Sequence, residues 1–351
     1  MSKVIAGTGS DLPEIEVTNH DIERRSMDYD RERAGVSLDE WVMERVGVKV
    51  RHHLKPGEGT ADMAARASRR ALESAGLQPS DLDLIIMTTV SSDHRLPMSA
   101  AKLQAELGCS CKFFQLEHAC SGFIDGLMVG EALMDSMKLD NILLVSSEAG
   151  SFILDPERFM LQTVFGDGAG AVILQQKKQA DGYGLMALYS EADGSIGEWT
   201  SVPAGGTVMP ITQEVLEKRL QYLRLDYKKI YPFAVKMMTH SSHVVTEMAG
   251  ISLDEVDWVI PHQTGENLVL DVAQRLEIPP EKMFINVDHT GNTSGASIPI
   301  ALDEANRAGL LQDGQILLMP TMGAGMTWGA GLIRWYGNGA SGRAEVGTAD
   351  E

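Results

Sequence analysis

The chain repeats itself, and the repeat constrains its fold more than any other feature. Gly76-Leu77-Gln78-Pro79-Ser80-Asp81-Leu82-Asp83-Leu84-Ile85-Ile86 aligns without a gap on Gly250-Ile251-Ser252-Leu253-Asp254-Glu255-Val256-Asp257-Trp258-Val259-Ile260, an offset of 174 positions. At the same offset Asn141-Ile142-Leu143-Leu144-Val145 falls on Gln315-Ile316-Leu317-Leu318-Met319. Each run is followed by a glycine-rich stretch that reads as a closing strand, Gly166 to Ile173 and Trp328 to Ile333. One repeat of this length is too long for a solenoid unit. It predicts two copies of one α/β domain, assigned to residues 1–178 and 179–337, with 338–351 an acidic Gly/Ser/Ala tail expected to be disordered.

Within the first copy the hydrophobic pattern alternates strands and helices. Strands are expected over Val4 to Gly9, Leu82 to Val90, Lys112 to Leu116 and Asn141 to Ser146. Helices are expected over Asp39 to Arg45, Thr60 to Ala75 with Thr60 as N-cap, Met98 to Leu107 and Ser121 to Met137. Runs such as Leu84-Ile85-Ile86-Met87 are apolar on both faces, so each sheet should carry helices on both sides. Arg25 to Ser37 and Pro203 to Asp226 fall outside the repeat. The first reads as an exposed charged insertion, the second as a Gly/Pro loop turning into a helix.

With 44% hydrophobic residues, 351 residues can bury two cores without metals or disulfides. No run approaches the roughly 20 apolar residues that span a bilayer, and the N-terminus lacks a signal-peptide pattern, so a cytoplasmic protein is expected. The net charge of −19 argues against nucleic acid and anionic membrane surfaces, both of which need clustered Lys and Arg. Three cysteines, Cys109, Cys111 and Cys120, form neither a disulfide framework nor a metal pattern and are expected to be reduced.

Three short segments carry chemistry. Cys120 lies where a strand ends and a long helix begins, and the helix N-terminus is expected to lower its pKa and make it a nucleophile. His262 follows the apolar strand Trp258-Val259-Ile260 and Pro261, at the strand end where α/β proteins handle ligands. Asn292, in Gly291-Asn292-Thr293-Ser294, offers a non-titrating amide suited to an oxyanion. Gly323-Ala324-Gly325 leads into no helix, so it reads as a close backbone approach to the cysteine and not as a phosphate loop. Cys109 and Cys111 read as structural, and Gly166 to Gly170 as glycines that let the halves approach.

With these residues assembled, the chain resembles the ketoacyl synthase III (3-oxoacyl-ACP synthase III-like) family of the thiolase superfamily over nearly its full length. The matching motifs are the cysteine elbow at Cys120, Pro261-His262-Gln263, Gly291-Asn292-Thr293-Ser294, Phe165-Gly166-Asp167-Gly168-Ala169-Gly170-Ala171 and Gly325-Met326-Thr327-Trp328-Gly329. The resemblance implies an α/β, thiolase-like fold, a duplicated five-layered αβαβα, and a homodimer formed by the N-terminal halves. It also implies acyl-CoA and a malonyl thioester, malonyl-CoA or malonyl-carrier protein, as substrates, with no metal or redox cofactor. By the same resemblance Cys120 takes the acyl group, and the backbone N–H groups of Cys120 and Ala324 hold the oxyanion. His262 and Asn292 bind the extender's thioester carbonyl while CO2 leaves. Trp41, Arg45 and Arg158 fall where the family binds the CoA nucleotide. Leu96 falls where a partner-subunit residue closes the acyl pocket, and a leucine there implies room for a longer chain.

The chain departs from the fatty-acid pattern at Glu266 and Asn267, near where a carrier-docking arginine is expected. Arg275, Lys228 and Lys229 leave a thin basic patch on an anionic chain. The reading is therefore a condensing enzyme of natural-product or modified-lipid biosynthesis. Its rivals are an acyltransferase moving the acyl group to an alcohol or amine, against which Asn292 argues, and a silent partner subunit, against which Cys120 argues.

Overall fold

Five apolar strands build the first sheet: β1 (Ser2–Asp11), β2 (Leu84–Thr88), β3 (Lys112–Leu116), β4 (Asn141–Ala149) and β5 (Asp167–Lys177), in the order β1-β5-β4-β2-β3. The second sheet has β6 (Gly184–Ala192), β7 (Trp258–Val259), β8 (Ile316–Gly323) and β9 (Thr327–Arg334), in the order β7-β8-β9-β6. The computed structural model describes residues 1–178 and 180–337. The tail expected at 338–351 lies outside the described residues.

The repeat is visible in this wiring. In each copy two parallel strands are joined by an antiparallel hairpin to a fourth strand: β2, β4, β5 and β1 correspond to β7, β8, β9 and β6. The copies differ at one edge. Where β3 lies parallel to β2, the second copy has a single-residue bridge between Val259 and Met283.

Helices cover both faces of these two sheets. Among the described residues, the α-helices of eight residues or more are, in chain order, α1 (Leu38–Arg45), which packs in a smaller separate cluster, α2 (Thr60–Ala75), α3 (Ser99–Leu107), α4 (Gly122–Met137), α5 (Tyr227–Ala249), α6 (Glu266–Leu276) and α7 (Ser297–Arg307). One apolar cluster packs α2 and α3 on the outer face of the first sheet, and another packs α5 and α6 on the outer face of the second. Between the sheets lie α4 and α7, whose Phe123, Ile124, Leu127, Ile298 and Leu302 share one core with strands of both. The result is the expected αβαβα layering, a thiolase-like α/β fold. Among the described residues no helix is long and apolar enough to cross a membrane.

The central layer is tight because glycines permit it. A Cβ on Gly170 of β5 would stand 2.6 Å from the Ile300 backbone nitrogen and 2.8 Å from the Pro299 carbonyl carbon. Neither atom is a flexible side-chain end, so the glycines after Phe165 do let the halves approach.

Several local expectations need correction. Thr60 is the first residue of α2 and not its cap; Gly59 caps the helix, its N–H donating to Asp62, while the Thr60 hydroxyl donates to Asp93. The helix after Cys120 starts at Gly122, preceded by a 3-10 turn over Ala119–Ser121. The helix in Pro203 to Asp226 is limited to Gln213–Glu217, because Arg219 turns left-handed (φ 54°) just beyond the Lys218 cap, and Arg224–Leu225 instead pairs as a short strand with Thr200–Ser201. That insertion is tied down by Leu223 N–H donating to the Ile153 carbonyl and by Arg219 on Asp155 and Glu157.

Gly170→Ala should lower the free energy of unfolding by about 1–3 kcal/mol through overpacking, measured by equilibrium denaturation. An unchanged midpoint would mean that α7 and β5 are not in rigid contact.

Candidate active site

Cys120 is held in the turn between β3 and α4 by bonds to the other half. The Thr321 hydroxyl of β8 donates to the Cys120 carbonyl, and the Thr327 hydroxyl of β9 donates to the Ser121 hydroxyl. Gly323 ends β8 so close that a Cβ there would lie 2.9 Å from the backbone nitrogens of Cys120 and Ser121. The predicted close approach of the glycine turn is therefore present, and it sets Ala324 beside the cysteine on one cavity wall.

The second copy answers this turn with one of its own. Ser294–Ala296 is a 3-10 turn leading into α7, as Ala119–Ser121 leads into α4. Ala119 (φ 44°) and Ser294 (φ 53°) both adopt left-handed backbone, at a cost of roughly 1–2 kcal/mol each. The Cys120 Sγ and Ser294 Oγ touch at 3.4 Å, and their separation in sequence is 174, the offset of the repeat. The thiol therefore sits at the meeting point of two equivalent turns.

Asn292 is fixed twice. Its N–H donates to the Val164 carbonyl and its carbonyl accepts from Gly166 N–H, which stitches the Gly291-Asn292 segment to the Phe165-Gly166-Asp167 motif. Its side-chain Oδ1 accepts the Ser294 N–H at 2.8 Å, which leaves the amide NH2 as the free donor. Beneath this seam the fully buried Arg51 donates to the Thr163 and Val17 carbonyls and to Asn19 Oδ1.

His262 arrives where β7 runs out; its N–H donates to the Pro320 carbonyl of β8. The residue is 1% exposed. Burial pushes the imidazole down to about 3, so it is neutral at physiological pH.

Cys120, His262, Asn292, Ala324 and Arg45 all line one cavity of about 180 Å³ with an overwhelmingly apolar wall. Ile153, Leu161, Leu223, Leu225 and Tyr227 contribute to that wall, two of the leucines from the Pro203–Asp226 insertion. The expected lowering of the Cys120 pKa is overturned. Burial pushes the thiol up to about 12; the Ser294 hydroxyl opposes the rise and Glu148 adds to it. Desolvation of the thiolate in this apolar setting is the largest cause of the rise.

Glu148 was not legible as a site residue. It closes β4, is 2% exposed and lines the cavity. Its carboxyl accepts from the Ser91 hydroxyl at 2.6 Å, the Val90 N–H and the Thr89 hydroxyl, yet burial still raises it to about 7. The signal available was an acid near the end of a strand that holds no other charged residue.

The remaining expected residues divide. The Arg45 guanidinium lies 4.9 Å from the Trp41 ring centroid, and Trp41 meets the edge of Phe159, so these two stand together beside the cavity. Arg158 does not line it; its exposed side chain turns toward Asp155, which Arg219 already engages. Leu96 is 82% exposed and does not line this chain's own cavity. Cys109 and Cys111 face each other at 3.6 Å away from the cavity, and burial, helped by Cys109, pushes Cys111 up to about 12. Among the other histidines, His118 pairs with Asp125, and His289 is pushed up to about 9 by Glu304 and Asp288.

Comparison with known proteins agrees with this geometry. Residues 114–194 match the family model described as 3-oxoacyl-[acyl-carrier-protein (ACP)] synthase III, and residues 246–335 match its C-terminal model. The beta-ketoacyl-[acyl-carrier-protein] synthase III of Caldanaerobacter subterraneus subsp. tengcongensis is 39% identical over 94% of this chain and 97% of its own. The crystal structure of 3-oxoacyl-[acyl-carrier-protein] synthase III from Aquifex aeolicus superposes with a TM-score of 0.85 at 36% identity, covering 95% of this chain and 100% of that one. The priming beta-ketosynthase of the R1128 polyketide pathway superposes at 0.83 with 26% identity, covering 96% and 97%.

The raised carboxyl of Glu148 makes a pH prediction. Unfolded, the group ionises near 4.5; folded, near 7. Between those values the folded state holds the extra proton, so this group makes stability fall as pH rises. Glu148→Gln should therefore gain Tm relative to the parent at about pH 8 compared with about pH 5. Equal differences at both pH values would show that the carboxyl is not held neutral.

Proposed function

The chain belongs to the 3-oxoacyl-[acyl-carrier-protein] synthase III family, and on that premise we propose that its apolar cavity captures an acyl group on Cys120 and condenses it with a malonyl thioester. The protein is an acyltransferase of the ketoacyl synthase III type. The observation that carries the assignment of roles is the convergence of a thiol, a neutral imidazole and a pinned carboxamide on one dry cavity.

In the first half-reaction the Cys120 sulfur attacks the acyl-CoA carbonyl. The carbon–sulfur bond to CoA breaks, and the thiol proton leaves with CoA. The backbone N–H groups of Cys120 and Ala324 are the oxyanion donors of this step. Donors fixed by the fold need no reorganisation as charge develops. In the second half-reaction the malonyl thioester loses CO2, and its carbonyl oxygen gains the charge of the enolate. His262 and the Asn292 amide donate to that oxygen. The enolate carbon then attacks the acyl-cysteine carbonyl, the cysteine sulfur departs, and a proton from solvent restores the thiol.

Trp41 and Arg45, stacked beside the cavity, are the proposed contacts of the CoA nucleotide; Arg158 has weaker support. The apolar wall and the remote Leu96 support a longer or bulkier acyl chain than the shortest donors. At the family's carrier-docking position Asn267 directs its amide to the Glu44 and Arg45 carbonyls, and Lys229 is paired with Asp226. These neutralised positions, with a net charge of −19, support a role outside primary fatty-acid initiation. A homodimer is supported by β3, an edge strand whose Phe114 is 43% exposed, on the same half as Leu96.

Asn292→Ala should lower condensation by about 10²- to 10³-fold while acyl-cysteine still forms. Intact-protein mass spectrometry after an acyl-CoA pulse, then a chase with malonyl-CoA or malonyl-carrier protein, reads both steps. Full turnover by the variant would remove Asn292 from the mechanism. Acyl groups that clear only with an alcohol or amine would replace condensation altogether. For the dimer, Phe114→Glu should shift the mass by light scattering toward one chain; an unchanged mass would place the interface elsewhere.

A further inference from the structure

The hydrogen bonds around His262 can be followed atom by atom. Its Nδ1 lies 2.7 Å from the Ser297 Oγ at the start of α7. The same oxygen accepts the Gln263 N–H at 3.3 Å. Gln263 is itself immobilised: its amide donates to the Pro261 and Phe284 carbonyls at 3.0 Å, and its carbonyl accepts the Asn286 N–H. His262, Gln263, Asn286 and Ser297 are all buried.

Two proton arrangements fit the short His262–Ser297 contact. If Nδ1 carried the hydrogen it would donate to Oγ. The serine proton would then be left, among the described residues, in a buried place with no acceptor recorded for it. If the hydroxyl donates to Nδ1, the serine and Nδ1 are both satisfied: Oγ accepts from Gln263, its proton goes to the imidazole, and the ring hydrogen resides on Nε2, which has no protein partner among the described residues and belongs to a ring that lines the cavity. Buried polar groups that lack partners are strongly disfavoured, so the second arrangement prevails.

We propose that Ser297 is a positioning residue that fixes His262 as the Nε2–H tautomer, making the imidazole a hydrogen-bond donor to the extender carbonyl and not a base for the Cys120 thiol. The extender's identity rests on the functional reading above; the tautomer does not. A neutral Nε2–H has no lone pair free to accept the thiol proton, so acyl capture does not depend on this ring. Asn292 is set by the same logic one turn earlier, where the Ser294 N–H occupies Oδ1 and leaves the NH2 as donor. The segment Asn292-Thr293-Ser294-Gly295-Ala296-Ser297 thereby orients both donors, one through a backbone N–H and one through a hydroxyl.

The test uses the full chain labelled with 15N-histidine, with the His262 signals assigned by their loss in His262→Ala. At neutral pH the two-bond 15N–1H pattern should show Nδ1 unprotonated and Nε2 protonated in the parent protein. In Ser297→Ala that preference should weaken or invert. Condensation should fall about 10- to 100-fold, the size typical for removing a partner that orients an imidazole, while single-turnover acylation of Cys120 stays within about twofold. Ser297→Thr, which keeps the hydroxyl, should restore the parent spectrum. A parent spectrum with Nδ1 protonated overturns the proposal, and needs no variant to fold. Equal losses in acylation and condensation by Ser297→Ala overturn it too. The expected tautomer in a protein that condenses no malonyl thioester would support the proposal and sink the condensation reading.

Discussion

Two 3-10 turns pressed together between two sheets are what the rest of the molecule is arranged around. Ala119–Ser121 and Ser294–Ala296 each open a central helix, and a Cβ on Gly295 would fall 2.6 Å from the Ala119 carbonyl oxygen. Such an approach requires both helices to be clamped from both sides. The first sheet does this through glycines of β5 against α7, and the second through Gly331 of β9, which lies against Ile124 of α4. The apolar core that spans both sheets holds the clamp shut. Catalytic geometry and the tightest part of the fold are thus one feature, and neither could loosen alone.

The site built there avoids charge. His262 is neutral, Cys120 is a thiol, Asn292 cannot titrate, and Glu148 sits near half-protonation. In a chain with a net charge of −19 the chamber is mostly apolar, and Glu148 is the acid among its lining residues. Oriented dipoles inside such a chamber interact strongly with charge that appears only during reaction, because little water screens them.

Much of this was legible in the sequence. The gapless repeat gave two α/β copies, and the structure reproduces them strand for strand except at β3. Cys120, His262 and Asn292 could be picked out because each follows an apolar strand or opens a helix among small residues. What stayed hidden depends on three dimensions. The pKa of Cys120 was misjudged because a helix end can be read from a sequence and a cavity cannot. Thr60 yielded its cap to Gly59 because Asp62 and Asp93, one of them distant in sequence, take up the available donors. Glu148 looked like the polar end of a strand until the Thr89–Ser91 segment folded over it. Ser297 passed as one more small residue, since its relation to His262 spans 35 positions.

The contact between Cys120 and Ser294 has a further meaning. A site on a true two-fold axis would present identical groups on either side of its substrate, and so could do only one kind of work at a time. Joining both copies in one chain frees each side to change alone. Here one turn keeps a soft sulfur that can hold an acyl group, while its twin supplies a hydroxyl and the backbone N–H that aims the amide of Asn292. On the proposed roles the chamber has a covalent face and a polarising face, a division of labour that a symmetric pair of single domains could not encode.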